Sequence, residues 1–219
     1  MRAGVASLIG LGVAGRPFLA LAREAAASPA RAAPARNAGG PVLIVGDSLS
    51  AEYGLRRGSG WVDLLARRLR EQRLPNPVVN ASISGETTAG GRTRIAALLA
   101  KHQPAVVVLE LGGNDALRGL DLAVTERNLR EMVQLSREAG AHPMLLGMRV
   151  PPNYGRGYAE RFAGLYDSVA RAEKVPLVPF FLDGVGERLE LFQADRIHPN
   201  EQAQPRLLEN VWPALRRLL

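Results

Sequence analysis

The 219-residue sequence has no cysteine. Disulfides, a thiolate nucleophile, thiolate metal sites and iron–sulfur clusters are therefore excluded, and any covalent chemistry must use another nucleophile. Histidine is nearly as scarce, with only His102, His142 and His198. No His-Glu-x-x-His run or clustered carboxylate spacing accompanies them, so neither a metal site nor a cofactor is expected. Internal repeats at solenoid periods are missing too. Acidic residues fall short of basic ones, 21 against 28. Residues 1–40 hold five arginines and one glutamate, which leaves 23 basic and 20 acidic groups for the remainder. The remaining excess is small, and runs such as Arg67-Arg68-Leu69-Arg70 and Arg216-Arg217 read as solvated helix faces. No nucleic-acid partner is expected.

Long apolar runs are likewise lacking. Ala3 to Gly15 forms thirteen mostly apolar, uncharged residues behind Met1-Arg2, short of the roughly twenty that span a bilayer. Small-residue sites follow at Ala25-Ala26-Ala27 and Ala30-Arg31-Ala32, so the segment resembles a secretory signal, although Arg16-Pro17 interrupts it. Residues 28–40 combine Ala, Pro, Arg and Gly without periodicity and read as a disordered spacer. The expectation is a signal and spacer over 1–40, a periplasmic or secreted protein without a stable membrane anchor, and one domain over 41–219. A helical extension on a cytoplasmic protein is the alternative.

What is present from Pro41 onward is an alternation of short β-rich runs with longer amphipathic stretches, the pattern of βαβ units and a parallel α/β sheet. Five strands are expected at Val42–Val45, Val78–Asn80, Ala105–Leu111, Met144–Gly147 and Leu177–Phe180. The unbroken Val106-Val107-Val108-Leu109 marks a central strand buried on both faces. Helices are expected over Trp61–Gln72, around Ile95, Leu98 and Leu99, and over Leu122–Ala139 and Tyr158–Ala172. Asn200 can cap a final helix, with Pro205 and Pro213 arguing for a kink or a later start.

In an open α/β sheet, ligands bind outside the carboxyl ends of the strands. Three loops there carry chemistry: Gly46-Asp47-Ser48-Leu49-Ser50, Ser82-Ile83-Ser84-Gly85-Glu86 and Gly112-Gly113-Asn114-Asp115. A serine leaving a strand through a glycine can be exposed in a tight turn, where a following helix N-terminus favours developing negative charge. Taken alone, such a turn is more often a helix cap. A serine nucleophile needs a base, and His198 alone has a suitable neighbour: in Asp195-Arg196-Ile197-His198 a separation of three lets carboxylate and imidazole face the same way if the turn is near-helical. His102 and His142 fall at the opposite end of such a sheet. Gly85 and Asn114 can supply oxyanion donors, and each also reads as a turn residue.

Together, Gly-Asp-Ser-Leu at Ser48, the later Gly85, Gly-x-Asn-Asp at Asn114 and Asp-x-x-His at Asp195 and His198 resemble, in order, the blocks of the SGNH (GDSL) hydrolase family. The resemblance runs from Pro41 to the C-terminus. It implies a three-layer α/β/α, flavodoxin-like fold with strand order 2-1-3-4-5, and an enzyme acting on thioesters, aryl esters and lysophospholipids. It also implies a Ser48–Asp195–His198 triad, with an oxyanion hole formed by Ser48, Gly85 and Asn114. No Gly-x-Ser-x-Gly elbow occurs, which disfavours the α/β-hydrolase superfamily. Leu49, Leu117, Leu120, Val150, Pro151, Pro152 and Tyr154 are candidate acyl-chain contacts, and each could equally be core. The expected partner is a small acyl ester or thioester, met by a monomer. A carbohydrate O-acetyl esterase and a non-catalytic flavodoxin-like binding module remain alternatives.

Overall fold

The structure is a computed structural model that describes Asn37 and residues 39–219. The expected signal and nearly all of the expected spacer lie outside the described residues. Asn37 already touches the domain, its side-chain amide donating to the carbonyls of Pro104 and Ala139 at 3.1 Å each.

Five parallel strands form one sheet: β1 (Val42–Gly46), β2 (Val78–Asn80), β3 (Val106–Glu110), β4 (His142–Leu146) and β5 (Leu177–Val178), in the order β2-β1-β3-β4-β5. The α/β fold and the strand order expected from the sequence are both present. The apolar run of β3 is buried along its whole length, as is β1 beside it. Two covered faces require this pattern, because helices pack on both sides of a parallel sheet. β5 is shorter than the sequence pattern suggested, since Pro179 offers no N–H to continue the ladder. β4 instead begins two residues earlier than expected, with His142 paired to Val106.

The helices are α1 (Trp61–Glu71), α2 (Thr88–His102), α3 (Gly113–Leu117), α4 (Leu122–Glu138), α5 (Arg156–Glu173) and α6 (Gln204–Leu215). α1 packs with α6, whereas α4 packs against both α2 and α5. Leu65 and Leu69 of α1 and Ile95 and Leu99 of α2 are buried, with Leu64 and Leu98 at the edges of those stripes. α4 stops at Gly140, whose φ of +82° suits a glycine. α6 takes the later start, with Pro205 in its first turn, where a missing N–H costs nothing. Asn200 does not cap it. Its Oδ1 accepts from Gln202 N, and its amide donates to the carbonyls of Glu190 and Phe192.

β1 has β2 on one side and β3 on the other, although β3 follows β2 in sequence. The chain reverses direction across the sheet at this point, and the loops leaving β1 and β3 diverge around a crevice. Gly46 and Glu110 are paired as the last residues of the two strands. The Ser48 and Asn114 loops therefore start side by side.

Candidate active site

Ser48 sits half-buried in a single helical turn directly after β1. Ala51 N donates to the Asp47 carbonyl at 2.9 Å and Leu49 N to Asp47 Oδ1 at 3.0 Å. The turn does not grow into a helix, and the first helix begins where the sequence pattern places it, at Trp61. Glu52 adopts φ +57° and turns its carboxylate to the amides of Gly58 and Gly60, so α1 begins only at Trp61. Ser48 thus lies beside local amides without the dipole of a full helix behind it.

Asp195 and His198 also lie together, but not on a helix. They occupy the tip of a loop whose two arms are joined by the Phe192–Pro199 bridge and by Gln193 N donating to the His198 carbonyl at 2.8 Å. Arg196 takes φ +58° between them. The Asp195 side chain itself makes the turn, with Oδ1 accepting from Ile197 N at 2.9 Å and His198 N at 3.0 Å. Oδ2 is left to meet His198 Nδ1 at 2.7 Å, and His198 Nε2 lies 2.9 Å from Ser48 Oγ. Burial opposes the charge on Asp195, but the His198 and Ile197 amides and the His198 ring outweigh it and hold the carboxyl at about 2. Such a hydroxyl–imidazole–carboxylate chain can take the proton from Oγ and stabilise the imidazolium that results.

Among the described residues, neither the Ser48 nor the Gly85 amide donates to a protein acceptor. Gly85 has φ +77°, and its carbonyl accepts from Arg118 Nη2 at 2.8 Å, which ties the loop to the end of α3. Ile83 N donates to the Gly46 carbonyl at 3.0 Å, tying the Gly85 loop to the end of β1. Asn114, in the first turn of α3, donates from Nδ2 to Asp47 Oδ2 at 2.9 Å and keeps its second amide hydrogen free of that bond. The three groups are attached to one another around the Ser48 turn.

Of the expected acyl contacts, Leu49 is half-buried against the core, and Leu117 and Pro151 are exposed. Val150 is buried in the core and presents almost no surface. His102, at the end of α2, and His142, at the start of β4, lie at the amino end of the sheet, away from Ser48. Sequence reasoning missed Tyr53, whose ring lies 4.4 Å from the His198 ring between centroids, and Gln193, which donates to the Tyr53 carbonyl and so joins the Ser48 and His198 loops. It also missed Glu110, although a carboxylate ending an otherwise apolar strand is a readable anomaly.

Residues 44–205 match the GDSL-like Lipase/Acylhydrolase family. The chain belongs to that family. It is 56% identical over 178 residues to Esterase TesA of Pseudomonas aeruginosa, covering 81% of this chain and 89% of that protein. It is 46% identical over 164 residues to Thioesterase 1/protease 1/lysophospholipase L1 of Escherichia coli K12, covering 75% and 77%. A crystal structure of TesA superposes with a TM-score of 0.80 at 55% identity, covering 82% of this chain and 99% of that one. The esterase EstA from Pseudoalteromonas sp., solved inhibited by monoethylphosphonate, gives 0.78 at 36% identity, covering 81% and 97%. The family match thus runs from within β1 to the start of α6.

Proposed function

We propose that this GDSL-like hydrolase cleaves carboxylic esters and thioesters through an acyl-enzyme on Ser48. The observation that carries the reading is the unbroken chain from Asp195 Oδ2 through both ring nitrogens of His198 to Ser48 Oγ. His198 Nε2 takes the Oγ proton as Ser48 attacks the acyl carbonyl. The oxyanion is held by the Ser48 and Gly85 amides and by Asn114 Nδ2. His198 returns the proton to the departing alcohol or thiol, and water then repeats the sequence on the acyl-enzyme, with His198 again as base. A general base contributes about 10²–10⁴ in rate and each oxyanion donor about 10²–10³.

The substrates are acyl esters and thioesters of the kinds the family resemblance implies: thioesters, aryl esters and lysophospholipids. In this reading the protein works as a monomer. It is exported, with residues 1–40 as signal and spacer. Among the described residues no helix is long and apolar enough to cross a membrane. N-terminal sequencing of the mature protein checks the export, and an intact Met1 overturns it.

Labelling with a fluorophosphonate, followed by a chain-length series of p-nitrophenyl esters and acyl-CoA, tests the chemistry. The wild type labels at Ser48 and turns over, and Ser48→Ala does neither. Turnover by Ser48→Ala removes the nucleophile assignment. Activity confined to acetyl esters points instead to O-acetyl esterase specificity.

A further inference from the structure

Beneath the Ser48 turn lies a second constellation that the reaction scheme above does not use. Glu110, the last residue of β3, is completely buried. Its Oε2 accepts from Ser50 Oγ at 2.7 Å and from Asp47 N at 3.2 Å, while Oε1 has no partner. Ser50 is held in turn by Trp61 Nε1 at 3.2 Å and by its carbonyl, which accepts from Asn80 Nδ2 at 2.7 Å. A side chain at Gly46 would meet Glu110 Oε2 at 2.7 Å, so the glycine before the turn makes room for this carboxyl. Asp47, also buried, uses Oδ1 for Leu49 N and Oδ2 for Asn114 Nδ2.

We propose that Glu110 and Asp47 are positioning residues of the oxyanion hole: Glu110 locks the Ser48 turn from below, and Asp47 passes that order to the Asn114 amide. The proposal rests on the reading of Asn114 as an oxyanion donor. Two neighbouring buried carboxyls, neither of them bonded to a basic side chain, do not readily both ionise. Their acceptor geometry assigns the proton. Asp47 accepts on both oxygens, which only a carboxylate does well, whereas Glu110 accepts on Oε2 alone and can keep a proton on Oε1. Burial, reinforced by the Asp47 charge, pushes Glu110 well above the usual carboxylate range in agreement with that assignment. Glu110 is a neutral acid in this arrangement, and Asp47 is the carboxylate that aims the second Asn114 hydrogen at the oxyanion.

Neutral and charged carboxyls respond differently to amide substitution. Glu110→Gln keeps an acceptor for Asp47 N and Ser50 Oγ and places an NH₂ where the O–H stood. Its kcat on p-nitrophenyl butyrate is expected within about threefold of wild type. Glu110→Leu removes the acceptor and lowers kcat by about tenfold or more with KM little changed, part of the 10²–10³ carried by one donor. Asp47→Asn can satisfy Leu49 or Asn114 but not both, and lowers kcat by a similar factor. The deciding measurement is a double-mutant cycle: in an Asn114→Ala background, Asp47→Asn should cost less than about threefold, because the group it acts through is gone. A full loss there, or Glu110→Gln as damaging as Glu110→Leu, overturns the proposal. Should Glu110→Leu not fold, Glu110→Gln and the cycle still decide. Asn114→Ala alone at wild-type kcat defeats the parent reading instead, and the Ser48 labelling result separates that outcome from failure of the positioning network.

Discussion

Asp47 and Asp195 carry opposite pH signatures although both touch the same site. Asp195 is held at about 2, below its ordinary 3.8. It contributes stability above about pH 4 that is lost as the pH falls towards 2. Asp47 is raised to about 6, chiefly by burial, against the opposing amides of Leu49 and Asn114 and the charge of His198. Between pH 4 and 6 the folded chain therefore binds more protons at this position than the unfolded one, and stability falls as pH rises. A displacement of roughly two units corresponds to about 3 kcal/mol. Denaturant unfolding of wild type and Asp47→Asn from pH 4 to 7.5 is expected to show the difference between them moving by about that amount in favour of the variant. Parallel curves would place the Asp47 carboxyl in its ordinary range. Asp195→Asn acts on the chemistry instead. An amide donating to His198 Nδ1 leaves the proton on Nε2, which can no longer accept from Ser48, and kcat is expected to drop by about 10⁴ with Ser48 labelling slowed in step.

Among the elements, α3 does more than carry Asn114. Its buried Asp115 accepts from the backbone N–H of Thr88 at 2.8 Å and from the hydroxyls of Thr88 and Thr125. Asn128 donates to the Thr88 hydroxyl at 3.1 Å. One carboxylate thus joins the starts of α2 and α4 and fixes the helix that carries Asn114, the proposed oxyanion donor. Asp115→Ala leaves several buried donors unpaired and is expected to cost about 2–4 kcal/mol, read from the denaturation midpoint. None of this was legible beforehand. The Gly-Gly-Asn-Asp run was plain in the sequence, but five residues are too few for a helical period to register, and Gly112 at φ +115° hides the start. The Asp195–His198 pair shows a different gap. A spacing of three suggested a helical turn, yet the pair faces the same way because Asp195 Oδ1 caps two amides of its own loop. Long amphipathic helices and the buried strands were readable because their period is set by burial. Short loops were not, because a single side-chain hydrogen bond decides them.

At the scale of the whole molecule, polarity is distributed with direction. Many of the basic residues are paired along helix surfaces, Arg68 with Glu209, Arg92 with Glu131 and Arg137 with Glu173, which agrees with the solvated faces inferred from the sequence. Exposed large apolar residues are not spread this way. Among the described residues, Tyr53, Ile83, Leu117, Leu120, Val124, Tyr154, Leu189 and Ile197 all fall in the connections that follow a strand or in the first turn of the helix after it, and Tyr53 and Ile197 adjoin His198 and Asp195. A rim of this kind suits an acyl chain lying in an open groove. A fully buried methylene is worth about 0.8 kcal/mol, or about fourfold in kcat/KM, and a half-open groove gives about twofold. Wild-type kcat/KM on p-nitrophenyl esters is therefore expected to climb two- to fourfold per methylene beyond butyrate until the groove ends. Leu117, 42% exposed and three residues beyond Asn114, lies along that path. Leu117→Ser should flatten the climb for longer chains and leave acetate and butyrate unchanged. A uniform loss at every chain length would mean that Leu117 supports α3 and the Asn114 amide rather than the acyl chain.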